Sequence, residues 1–133
     1  MRKGFKYMEI TLSLSEVLNI NRVLISIIDN SQTKVDALLK FRLLGIIKEL
    51  EPLISNFDFI RNEKIMEYGE KTEDGNYQIQ KDDKKAIDLF NHDLSEILNS
   101  DVTISINKLK SSDIFDRGIG AEYLVWLYPI IEE

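Results

Sequence analysis

The chain has 133 residues, 44% of them hydrophobic and 30% charged, which suits one globular, water-soluble domain with a single core. A net charge of −6 argues against a protein that holds bare nucleic acid through phosphate contacts, and a basic partner or another protein fits better. Cysteine is absent, which excludes a disulfide framework, a thiolate metal site and a cysteine nucleophile, and leaves the cytoplasm as the default compartment. Residues 1–7 carry Arg2, Lys3 and Lys6 without a following apolar h-region, so they read as a flexible arm ahead of a single domain, 8–133. No later stretch is long and apolar enough to span a membrane.

Met8, Ile10, Leu12 and Leu14 alternate with polar residues, the period of a half-buried strand over 8–12. The strand runs into a helix start. Ser13 and Glu16 are spaced as a capping box, and Leu12 and Val17 as a hydrophobic staple, so the first helix begins near Leu14. Val17, Ile20, Leu24, Ile27 and Ile28 form its apolar stripe, and Asp29 to Gln32 is a polar turn. Thr33, with Asp36 at the third position, is placed to cap the next helix.

That next helix, Thr33 to Gly69, organises the rest. Leu39, Leu43, Ile46, Leu50, Leu53, Phe57 and Ile60 alternate steps of four and three along one seam. Straight, it would span roughly 50 Å, against about 35 to 40 Å for a compact domain of this size. Pro52 interrupts the backbone hydrogen bonding but lies on the side opposite the seam, so the pattern predicts a kink and not two helices. Gly69 suits a left-handed residue at the helix end.

Asp74-Gly75 predicts a two-residue hairpin turn, flanked by Lys71-Thr72-Glu73 and Asn76 to Ile79. The acids Glu70, Glu73, Asp74, Asp82 and Asp83 fail the spacing of a calcium loop and read as a solvated turn. A further helix from Asp82 or Asp83 to about Asn99 repeats Ile87, Phe90, Leu94 and Ile97, and is the candidate cover for the distal seam. His92, the only histidine, reads as ordinary surface. Val102, Ile104 and Ile106 mark a second strand, 102–108, expected to share a sheet with 8–12. Ser111 to Gly120 reads as a loop with at most one helical turn at Asp113 to Phe115. Gly118 and Gly120 lack the flanking strand and helix of a nucleotide-binding motif.

The terminal stretch, Ala121 to Glu133, is apolar on every side, with Pro129 closing or kinking it. Two readings stay open. Either the segment is sandwiched between sheet and long helix, or Trp126 and Tyr128 lie on a patch that another chain covers. The fold class is α+β, mainly helical: a long kinked helix packed by two shorter helices, with a small antiparallel sheet and a hairpin. No catalytic, cofactor-binding or metal-binding set stands out, so the chain reads as not an enzyme. Trp126, Tyr128 and Tyr123 are the candidate protein interface, and a homo-oligomer or a complex with another protein is the expected state. Neither direct nucleic-acid binding nor membrane association is expected.

The strand-cap-helix start at Met8-Glu9-Ile10, the run Glu67-Tyr68-Gly69-Glu70-Lys71, then Glu73-Asp74-Gly75-Asn76-Tyr77, Phe90-Asn91 and the terminal Ile130-Ile131-Glu132-Glu133 resemble a family of small tailed-phage and prophage proteins of unknown function from low-GC Gram-positive hosts, domain of unknown function sixteen-seventeen. The resemblance covers residues 8 to 133 and implies a phage origin and action in the host-cell cytoplasm or in the virion. It brings no catalytic residues. Virion tail structure or assembly is the function expected from it; the alternative is a phage-encoded inhibitor that binds a host defence protein.

Overall fold

The computed structural model describes residues 7–30, 35–115 and 117–132. The chain is mainly helical with three small two-stranded sheets among the described residues, the α+β class read from the sequence. Strand β1 (Tyr7–Ser13) starts one residue earlier than its alternation suggested and pairs antiparallel with β4 (Asp101–Asn107), in a register that sets Ile10 against Ile104 and Thr11 against Thr103. One face of this ribbon is apolar, with Leu12, Ile104 and Ile106 buried in the core. The other is polar, and the Thr11 and Thr103 hydroxyls lie 3.2 Å apart on it.

Helix α1 (Leu14–Asp29) begins at the capping box. The Ser13 hydroxyl accepts from the Glu16 amide at 3.2 Å, and the Glu16 carboxylate accepts from the Ser13 amide at 3.1 Å, so two first-turn donors are satisfied at once. Val17, Ile20, Val23, Leu24 and Ile27 are buried, and Ile28 is half-buried at the edge of the stripe.

The long helix, α2 (Ala37–Tyr68), starts later than the expected Thr33, which lies outside the described residues. Asp36 is its cap: the carboxylate accepts from the Leu39 amide at 2.8 Å. An aspartate three residues before that amide does this at least as well as a threonine. The helix continues through Pro52, which is exposed. Leu39, Leu43, Ile46, Leu50 and Phe57 are buried as the seam requires, with Leu53 and Ile60 half-buried. Helix α1 packs on α2, and α3 (Lys84–Leu98) packs on it as well. Asp83 caps α3 by accepting from the Ala86 amide at 3.1 Å.

Gly69 ends α2 in extended backbone, φ −100° and ψ 178°, and not in the left-handed region. Glycine is needed there for a different reason. A Cβ on Gly69 would sit 2.5 Å from the Ile65 carbonyl oxygen and 2.8 Å from that of Gln78, where the following hairpin crosses the helix end. That hairpin joins β2 (Glu70–Lys71) to β3 (Tyr77–Gln78). Its turn is one residue longer than Asp74-Gly75 alone predicted. The Thr72 amide donates to the Asn76 carbonyl at 2.7 Å and the Gly75 amide to the Thr72 carbonyl at 3.0 Å, leaving Glu73, Asp74 and Gly75 as the loop, with Gly75 at φ +89°.

After β4 the chain forms β5 (Leu109–Lys110), one helical turn α4 (Ser111–Ile114), helix α5 (Ala121–Leu127), a 3-10 turn (Tyr128–Ile130) and β6 (Ile131–Glu132). β6 pairs parallel with β5, Leu109 against Ile131, a pairing that a two-residue strand after Pro129 gave no periodicity to reveal. Two ion pairs bind this region to the start of α2: Arg42 to Asp113 at 2.6 Å and Arg117 to Asp36 at 2.7 Å.

Candidate protein-interaction site

Burial divides the C-terminal segment sharply. Leu127, Ile130 and Ile131 are buried in the common core, held from one side by the packing of α5 on α1 and from the other by the β5–β6 pairing. With those positions turned inward, their neighbours must face out. Tyr128 is 61% exposed, Val125 58% and Trp126 38%. Tyr123 does not join them: it is half-buried and packs against the core. Of the three residues expected at an interface, the structure therefore sets Trp126 and Tyr128 at the surface and turns Tyr123 toward the interior.

Val125, Trp126 and Pro129 share a recess of about 200 Å³ with Glu16 and Ile20 of α1. This is smaller than the roughly 300–1,000 Å³ of sites that take drug-sized ligands. The one charged group on its wall, Glu16, is already engaged by the Ser13 amide and hydroxyl, each at 3.1 Å. A recess of this size with apolar walls suits a single side chain from a partner.

A second apolar surface runs along α2. Leu38, Phe41, Leu44, Phe59 and Met66 are exposed, Phe41 at 71% and Phe59 at 66%, on the helix face opposite the buried seam. The sequence carried the signal, because Leu38, Phe41, Gly45, Lys48, Pro52, Phe59 and Met66 fall on the same three-and-four spacing as the buried residues. The core seam masked it.

Polar side chains meet mainly where they tie helices together. The Tyr68 hydroxyl donates to Asp93 at 2.5 Å, and Lys64 reaches Asp93 at 3.4 Å and Glu67 at 2.9 Å. Tyr68 and then Lys64 hold the Asp93 carboxyl below the ordinary range; Asp93 in turn raises Tyr68, and Glu67 followed by Asp93 raises Lys64. Each member satisfies the others, which makes the group a cross-link between α2 and α3. In the hairpin, Asp74 accepts from the Thr72 hydroxyl and from the amide and side-chain nitrogen of Asn76, and these donors lower its pKa. His92 is exposed and lies 2.9 Å from Glu96 one turn on. Among the described residues, no group of three or more His, Cys, Asp or Glu is disposed to hold a metal ion, and no helix is long and apolar enough to cross a membrane. Comparison with protein-family profiles, with curated proteins and with solved structures finds no match.

Proposed function

We propose that this chain is a non-enzymatic phage or prophage protein that works through protein–protein contacts, in virion tail structure or assembly. The contact part rests on one observation: Val125 and Trp126 stay in solvent on the wall of an apolar recess, with Tyr128 exposed nearby in sequence, while Leu127, Ile130 and Ile131 are buried. Tryptophan and tyrosine lose little conformational entropy on docking and bury large areas, so they dominate the energy of protein contacts. The phage part is supported by the resemblance of Tyr68-Gly69-Glu70-Lys71 and the Asp74-Gly75 turn to the phage family.

The test is affinity capture from phage-carrying cells with the full chain and with a Trp126→Ala/Tyr128→Ala variant. A virion component that binds the first and is lost with the second is the expected result, and the complex should survive high salt because the contact is apolar. A captured host defence protein whose binding collapses as ionic strength rises would move the function to inhibition. Equal capture by both forms would refute the C-terminal surface as the contact.

A further inference from the structure

We infer that the outer face of α2 is the self-association surface of this chain, and that a second copy lies on it antiparallel, with the two-fold axis near Pro52. The inference rests on the reading that the chain works through protein contacts, but not on the C-terminal surface that carries that reading.

Three observations converge on it. The first is the spacing of the exposed residues. Leu38, Gly45, Pro52, Phe59 and Met66 recur every seven residues along a helix of 32, and Phe41, Lys48, Ser55 and Asn62 fill the alternate steps. Leu38, Phe41, Phe59 and Met66 are large apolar groups in solvent, on a helix whose other face already fills the core. Large apolar groups left in solvent at both ends of one helix face mark a contact surface.

The second is Gly45. Glycine weakens a helix interior, so its place there calls for a reason. The chain itself supplies none, because a Cβ at Gly45 would meet nothing within 4 Å. Antiparallel pairing about Pro52 supplies one. It sets Phe59 of one copy over Gly45 of the other, and the missing side chain leaves room for the ring. The same register sets Leu38 against Met66. Each contact occurs twice, as an isologous two-fold interface demands.

The third is charge, and it selects the orientation. Before Glu49 the charged residues of α2 are Lys40, Arg42 and Lys48, all basic. Every acid of the helix, Glu49, Glu51, Asp58, Glu63 and Glu67, follows Lys48. Arg42 is already paired with Asp113, and Lys64 with Glu67 and Asp93, which leaves Lys40 and Lys48 in the first half against Glu49, Glu51, Asp58 and Glu63 in the second, with Arg61 the one base there that has no ion pair among the described residues. Antiparallel pairing brings the basic half of each helix to the acidic half of the other, whereas parallel pairing stacks like on like.

Two measurements test this on the full chain. Sedimentation equilibrium at tens of micromolar should give twice the chain mass of 15.5 kDa, and Phe59→Asp should return the single mass. Circular dichroism of that variant should keep the wild-type helical spectrum, with a thermal midpoint that no longer rises with protein concentration, since Phe59 is exposed and lies outside the buried core. Trp126→Ala should remain a dimer, which separates this surface from the C-terminal one. The absence of cysteine allows one spin label per chain, at Asn56→Cys, Arg61→Cys or Ala37→Cys, all exposed and beside the proposed contact stripe. Label pairs across the dimer should lie about 12, 27 and 45 Å apart along the axis, growing by about 3 Å per residue from Pro52. A wild-type monomer, a Phe59→Asp dimer, or short distances of equal length at all three positions would overturn the inference. A monomer that still captures a virion component through Trp126 would overturn it while leaving the proposed function intact.

Discussion

Leu50→Ala and Lys48→Ala differ by two positions on α2 and should differ by an order of magnitude in effect. The Leu50 side chain is 0% exposed, in the seam that α1 and α3 cover. Truncating it removes three buried carbons and leaves a cavity that helices on both sides limit in its collapse, which places the loss at about 3–4 kcal/mol within the usual range of 2–5. A chain of this length unfolds with an entropy of about 0.28 kcal/mol per degree, so the thermal midpoint should fall by about 11–14 °C. Leu43→Ala, also at 0% exposure, should match it; Phe57→Ala, at 8%, belongs in the same range. Lys48 is exposed and makes no ion pair among the described residues, so in a Phe59→Asp background, where self-association does not contribute, Lys48→Ala should cost under about 0.5 kcal/mol. Urea titration with an unchanged m-value is the assay, because a changed slope would report a different unfolding transition. Small, equal losses at Leu50 and Lys48 would refute the seam as the centre of the core.

Gly69→Ala forces a Cβ against two carbonyl oxygens and should destabilise the fold by about 1–3 kcal/mol, whereas Gly45→Ala meets empty space and should stabilise it by about 0.5–1 kcal/mol. Both belong in the Phe59→Asp background so that self-association does not contribute, and a reversed order by urea titration would contradict the packing at the helix end. Asp93→Asn tests the link between α2 and α3. Because the folded Asp93 binds its proton less readily than the unfolded one, its stabilising effect is present above the ordinary carboxylate pKa of about 3.9 and is lost as pH falls through the lower folded value. The wild-type thermal midpoint should therefore drop more steeply than that of Asp93→Asn below about pH 4, and parallel curves would mean that Tyr68 and Lys64 do not hold the carboxylate.

The parts of the fold that were legible are those in which one residue pattern has one physical solution. The capping box at Ser13 and Glu16, the seam from Leu39 to Phe57 and the alternation at Ile104 and Ile106 each fix an element by themselves, and each lies where the pattern put it. Ends were harder, because several residues satisfy the same need: Asp36 caps α2 where Thr33 was the candidate, and the hairpin loop takes three residues where two would suffice. The β5–β6 pair was invisible, since two residues carry no period and the partners are Leu109 and Ile131, far apart in sequence. Gly69 was read as a conformational glycine when its role is to admit the Gln78 carbonyl, a contact that only the folded hairpin creates. At the candidate site, composition pointed to the segment but not to its faces. Leu127, Ile130 and Ile131 turn inward because β6 and α5 anchor them, and that anchoring decides that Trp126 and Tyr128 stay outside.

Trp126 is the only tryptophan, so a chain labelled with fluorotryptophan carries a single fluorine NMR signal placed at the proposed contact. Titration with a partner captured by the full chain should shift and broaden that signal as the indole passes from water into the interface, and high salt should not restore the free position. An unchanged signal while light scattering shows the complex forming would contradict a contact at the C-terminal surface.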